Sequence, residues 1–200
     1  MLITLLLRVA LALPQIPAIP AAVIDTAVAE AAGIWAPYRV AIGDARSCVR
    51  ADDDCRVLTV VPVVVEGAPS GGAPGWRGAL GQIRFAPDGV PESTITVFVT
   101  DIEQFIAGAT LHGGFFRLGP QALRNQLFGR VLGRVLAHEI GHYVLQSPRH
   151  AADGLMRPLQ LAGDLMSPSR HRFTLTAAEA ARVEGSPTTA RCRDQQRKRN

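Results

Sequence analysis

Hydrophobic positions recur every second residue at the start of the chain and every third or fourth residue in its later half. Leu5, Leu7, Val9, Leu11 and Leu13 share one face, Arg8 stands on the other and Pro14 ends the run. This predicts a first strand within 1–13. The same residues also form a weak signal-like segment, with an Ala-x-Ala site at Ala10 to Ala12. No basic residue opens that segment and Arg8 interrupts it, so the strand is preferred. A membrane span is excluded, because it needs about 20 consecutive apolar residues.

Pro17 and Pro20 then lead into 21–34, where Val23, Ile24, Ala27, Val28, Ala31 and Ile34 recur at helical spacing, closed by Gly33 and Pro37. A strand follows at 38–42, and strand, helix, strand in succession favours a parallel pair joined by a crossover. The β-branched run from Arg56 to Glu66 predicts a strand buried on both faces, with Pro62 marking a bulge or an edge. Gly67 to Gly78 is rich in Gly and Pro and lacks the Lys-Ser/Thr of a phosphate loop, so it is a flexible connection. Two further strands are expected at 80–86 and 95–100 around the turn Pro87-Asp88-Gly89, then a loop-like stretch with short helical content over 101–119. Leu123, Leu127, Val131, Val135 and Val144 keep one face of a long helix in the core over 121–146, where Pro148 biases Ser147 out of helical angles. A last helix is expected at 176–183. The fold class is α/β (α+β), in one globular unit over 1–184.

Composition changes this picture little. The chain has 200 residues, of which 48% are hydrophobic, enough for one core. The formal charge of +4 is carried by Arg191, Arg193, Arg197, Lys198 and Arg199 against Asp194. The body is therefore formally neutral, 185–200 reads as a disordered basic tail, and nucleic acid is not an expected partner. A single Lys among 21 basic residues suggests a bacterial source of high GC content.

Cys48 and Cys55 bracket a short polar loop, a spacing that favours a local disulfide over a zinc ribbon and implies an oxidising compartment. Asp52 to Asp54 make calcium possible but unsupported, since adjacent carboxylates in a loop are usually just solvated. His112, between glycines, reads as a loop histidine.

Chemistry concentrates in His138-Glu139-Ile140-Gly141-His142 on the long helix. Residues four apart on a helix lie side by side, so His138 and His142 can share one metal ion, while Glu139 points elsewhere and can reach a water there. The turn enforced by Pro148 allows a third ligand from the segment just beyond. His150 is the nearest candidate, followed by Asp153.

These residues, with Gly154-Leu155-Met156-Arg157-Pro158, resemble the metzincin clan of zinc metallopeptidases, the matrixin-like members most closely. The spacing of Met156 from His138 is that of the matrixin Met-turn, and Asp164-Leu165-Met166-Ser167-Pro168 is a second, similar segment. The clan has a Gly where Leu145 stands and its third His where Pro148 stands; His150 comes two residues late. Ser147-Pro148 reads as an alternative device for ending the helix. His150 is taken as third ligand, with Asp153 and, for a thermolysin-like arrangement, Glu179 as alternatives.

The resemblance implies a twisted, mostly parallel sheet of about five strands with an antiparallel edge, a long active-site helix, a Met-turn and a C-terminal helix. It implies one catalytic Zn²⁺ on His138, His142 and His150, with Glu139 as general base in peptide-bond hydrolysis, and Met156 beneath the metal. An extended peptide would lie along an edge strand containing Leu80, Gly81, Gln82 and Ile83. The expected protein is a secreted or periplasmic monomer acting on peptides or proteins. The competing expectation is a non-catalytic zinc-binding interaction or adhesion domain of the same fold, although pure metal holding has no need of Glu139.

Overall fold

The computed structural model describes residues 7–13, 19–44, 55–63, 78–107, 109–111, 114–115, 119–158 and 161–185. The pairing of Cys48 with Cys55, the stretch Asp52 to Asp54, His112 and the tail beyond 185 lie outside the described residues.

Alternation in the first stretch does make a strand, β1 (Leu7–Ala12), with Leu7, Val9 and Leu11 buried and Arg8 exposed. Ala10, on the same side as Arg8, is buried as well, in a strand flanked by a neighbouring strand on either side. Helix α1 (Ala21–Trp35) buries Val23, Ala27, Ala31 and Ile34 and leads through a 3-10 turn at Ala36–Tyr38 to β2 (Val40–Asp44). Two expectations shift here. Gly33 does not close α1; it lies within the helix, where a Cβ would sit 2.6 Å from the Arg170 guanidinium carbon. The second strand begins at Val40 and not at Tyr38, because the turn uses Pro37 near its start and ends on Arg39 in the left-handed region, φ 60°.

The next strands are β3 (Cys55–Val63), β4 (Gly81–Phe85) and β5 (Pro91–Phe98). The sheet order is β2-β1-β3-β5-β4, parallel throughout except for the antiparallel edge strand β4 on β5. Strand β3 is not buried on both faces: Leu58 and Val60 are inside, Thr59 and Val61 exposed. Its register with β1 ends at Thr59 while that with β5 runs on to Val63, so Pro62 stands where β3 pairs on one side only. A proline is tolerated where only one ladder is formed.

Helix α2 (Val99–Ala107) follows β5 directly, and a two-residue hairpin, β6 (Thr110–Leu111) with β7 (Gly114–Phe115), precedes the long helix α3 (Gln121–Leu145). Short helix α4 (Ala162–Met166) and α5 (Ala177–Gly185) complete the described chain. No helix among the described residues is long and apolar enough to cross a membrane.

Helix α3 is the spine of the core, buried along most of its length from Leu127 onward. It approaches α1 closely at two glycines one turn apart. A Cβ at Gly129 would lie 2.8 Å from the Val23 carbonyl oxygen, and one at Gly133 2.5 Å from that of Ala27. Near its far end the Trp35 indole N–H donates to the Ala137 carbonyl at 3.0 Å. That bond fixes α3 to the end of α1 immediately before His138.

Candidate metal centre

His138 and His142 project from one face of α3, their Nε2 atoms 3.2 Å apart. The Nδ1–H of His138 donates to the Leu155 carbonyl at 2.8 Å, and that of His142 to the Ser147 carbonyl at 2.7 Å. A carbonyl only accepts, so both protons sit on Nδ1 and each neutral ring turns an Nε2 lone pair toward the same point. Two nitrogens on a tetrahedral metal at 2.0–2.1 Å lie about 3.3 Å apart, which matches the observed separation.

The third imidazole arrives because the helix breaks sharply. Gln146 adopts left-handed angles, φ 48° and ψ 49°, and its N–H still reaches the Tyr143 carbonyl at 3.3 Å. Ser147 N–H then donates to the His142 carbonyl at 3.1 Å, and Pro148 holds Ser147 out of the helical region. Leu145 therefore remains helical, and the reversal falls one residue later on a residue that is not glycine. His150 folds back over the helix, stacked on the His138 ring at 5.3 Å between centroids and edge-on to His142 at 4.9 Å. The ligand atoms of His138, His142 and His150 lie within 4.8 Å of one another, a group able to hold a metal ion.

The alternative ligands have other situations. Asp153 is exposed and outside this group. Glu179 caps α5: its carboxylate accepts from the Thr176 N–H at 2.8 Å while Thr176 Oγ1 accepts from the Glu179 N–H at 3.3 Å, a reciprocal capping box.

The segment beyond His150 forms a turn that meets the triad through the Leu155 carbonyl on His138. Ala151 N–H donates to the Met156 carbonyl at 2.9 Å and Leu155 N–H to that of Thr174 at 2.8 Å. Gly154 takes φ +80°, which a side chain would resist. Met156 is fully buried against Gly141, where a Cβ would overlap its sulfur and approach Trp35. Met166, at the end of α4, is buried as well, with its carbonyl held by Arg130, two turns before His138.

Burial lowers the pKa of all three histidines. For His138 it is the main cause, joined by the neighbouring imidazoles and opposed by the Leu155 carbonyl, and the value is pushed down to about 4. His142 and His150 shift the same way, chiefly through burial. The rings are thus neutral near pH 7, the form that ligates.

Glu139 is buried between α3 and β4, with the Ile83 backbone N–H turned toward its carboxylate. Burial outweighs the pull of that amide and pushes the pKa up to about 7. The location of that N–H follows from the register. Phe98 N–H donates to the Leu80 carbonyl, and Gly81 pairs with Val97 and Ile83 with Ile95. In an antiparallel ladder bonded and non-bonded pairs alternate, so Leu80 and Gln82 spend their main-chain groups on β5. Gly81 and Ile83 turn theirs to the outer edge, where no other described strand pairs. A cleft of about 190 Å³ adjoins His138, Glu139 and His150, with apolar walls that include Leu80, Phe105, Val135, Leu155, Leu165 and Phe173. Comparison with protein families, curated proteins and solved structures finds no match to the chain.

One buried network was not read from the sequence. Arg134, one turn before His138, is almost wholly buried; it pairs with Glu30 at 2.9 Å, donates to the carbonyls of Asp164 and Ser169, and lies under the Phe173 ring. The second Glu30 oxygen accepts from Arg170 at 2.8 Å. Its signal was available: Glu30 falls on the stripe of α1 defined by Ala27, Ala31 and Ile34, and an acid there needs a buried partner.

Proposed function

We propose that this chain is a zinc-dependent endopeptidase of the metzincin type, most similar to the matrixins, hydrolysing internal peptide bonds. The observation that carries the reading is a buried carboxyl group, Glu139, beside three converging imidazoles at the mouth of an apolar cleft. Three neutral nitrogen donors fit Zn²⁺ in tetrahedral coordination with one position open. Further support comes from the mostly parallel sheet with its antiparallel edge, and from the burial of Met156 against Gly141, between the two helical histidines in sequence.

When bound, zinc lowers the pKa of a water toward neutrality and polarises the scissile carbonyl. Glu139 takes the proton of the attacking water and passes it to the leaving amine, roles suited to a carboxyl group that titrates near pH 7. The outer edge of β4 receives the extended peptide through the main-chain groups of Gly81 and the carbonyl of Ile83, and the neighbouring cleft accepts an apolar side chain. Cys48 and Cys55 form a disulfide in a secreted or periplasmic monomer; its mass before and after reduction tests the bridge.

The decisive experiment is elemental analysis of protein purified without added metal, followed by Glu139→Ala. One zinc per chain is expected in both proteins, with cleavage of an unfolded protein substrate falling by about 10²–10⁴ in the variant. Undiminished cleavage would sink the mechanism. Bound zinc with no cleavage by the unaltered protein on any substrate would favour a zinc-binding interaction domain.

A further inference from the structure

The edge strand touches Glu139 in two ways, and both come from residues on the same side of β4. Ile83 turns its backbone N–H toward the carboxylate. Two residues earlier, Gly81 approaches the shaft of the same side chain: a Cβ there would lie 3.0 Å from Glu139 Cγ, 3.1 Å from its Oε1 and 2.8 Å from Val135 Cγ1. A glycine inside a strand weakens it unless a close approach demands the missing side chain. Here the approach is to the group assigned as general base. The Ile83 N–H, for its part, faces the open edge and so leaves no bond to β5 unmade.

We propose that Gly81 and Ile83 are positioning residues for Glu139, the strand fixing both the shaft and the carboxylate of the base. This role rests on the hydrolase reading above, although the contact itself does not. The side chain emerges from α3 one residue after a ligand and has several rotatable bonds. Without β4 its carboxylate would sweep a wide arc, and misplacing a reacting group by about 1 Å can lower a rate about a hundredfold. With β4 in place, one rotamer is selected by the glycine gap and secured at its end by an amide that the sheet does not need.

The contact is tested in zinc-free protein by following backbone amide resonances in unaltered protein and in Glu139→Ala. The Ile83 amide proton is expected to move upfield and lose protection from exchange in the variant, while the Gln82 amide, bonded to β5, stays in place. An unchanged Ile83 amide overturns the proposal whatever the activity. Catalysis is tested in zinc-loaded Gly81→Ala, where kcat is expected to fall about a hundredfold with KM and zinc content little changed. Because the new methyl group also meets Val135, Gly81→Ala/Val135→Ala separates packing from positioning. The double variant should regain thermal stability and keep the low kcat, whereas recovery of kcat would refute positioning. If the unaltered protein cleaves nothing while the Ile83 amide responds as expected, the hydrolase reading falls and the contact stands.

Discussion

Replacing Glu139 by Gln should make the metal-free protein more stable at neutral pH, by an amount that depends on pH in a defined way. The carboxyl pKa rises from an ordinary 4.5 to about 7 on folding, mainly through burial. A raised value means that the folded state binds the proton more tightly, so the contribution is fully present below pH 4.5 and is lost as pH rises through 7. A difference of 2.5 units at about 1.4 kcal/mol per unit corresponds to about 3 kcal/mol. His138 works in the opposite sense. Its value falls from 6.5 to about 4, so its stabilisation is present above 6.5 and lost as pH falls through 4. Between pH 4.5 and 6.5 the two slopes oppose one another, with His142 and His150 acting in the same sense as His138. The amide introduced by Glu139→Gln does not titrate, yet its carbonyl can still accept from the Ile83 N–H. The assay is urea unfolding with a chelator present from pH 4 to 8, comparing the two proteins at each pH. The variant should match the unaltered protein near pH 4, gain on it through pH 7 and level off about 3 kcal/mol higher. A difference that stays constant from pH 4 to 8 would refute the buried-carboxyl account.

His150→Ala should weaken zinc binding by more than the roughly 10–100-fold that loss of an outer partner costs, whereas Asp153→Ala leaves it unchanged; chelator competition measures both. Equal affinities in the two variants would remove His150 from the ligand set. Gln146→Gly should stabilise the protein by about 1 kcal/mol, because Gln146 sits at φ 48° where a Cβ is unfavourable, and the shift is read from the urea midpoint. Glu30→Ala leaves the buried Arg134 charge without its partner and should cost about 3–5 kcal/mol, part of which returns in Glu30→Ala/Arg134→Met. A loss under about 1 kcal/mol in the single variant would show that Arg134 is neutralised elsewhere.

What the chain made legible was whatever depends on local period and spacing. The alternation of Leu7, Val9 and Leu11 located β1, and the i, i+4 histidines placed two imidazoles on one face of α3. His150 was legible as a candidate because Pro148 forces the chain to turn. Features that depend on distant partners were not read. Gly33 resembles a helix stop in sequence, and only the arrival of Arg170 gives it another reason to be glycine. The exposed side of β3 carries the same β-branched residues as its buried side, so composition did not distinguish them. Nor does Gln146 announce a left-handed residue. That conformation is imposed by the bonds from the 146 and 147 amides back to the last helical carbonyls, together with Pro148.

The three histidines all fall within residues 138–150, and the Nδ1 partners of His138 and His142 lie no further away than Leu155. A metal bound there would close only a short loop, so it would restrict the unfolded chain little. An unfolded chain would also keep the same ligands near one another and compete for the ion. Metal affinity and metal-induced stability should therefore diverge, with a tightly held ion raising the unfolding midpoint less than its affinity alone implies. The Ile83 amide reaches Glu139 from far upstream and depends on a completed sheet. A damaged or half-folded chain would thus retain its ion long after the carboxylate had lost its place, and metal content alone would overstate the fraction of intact molecules.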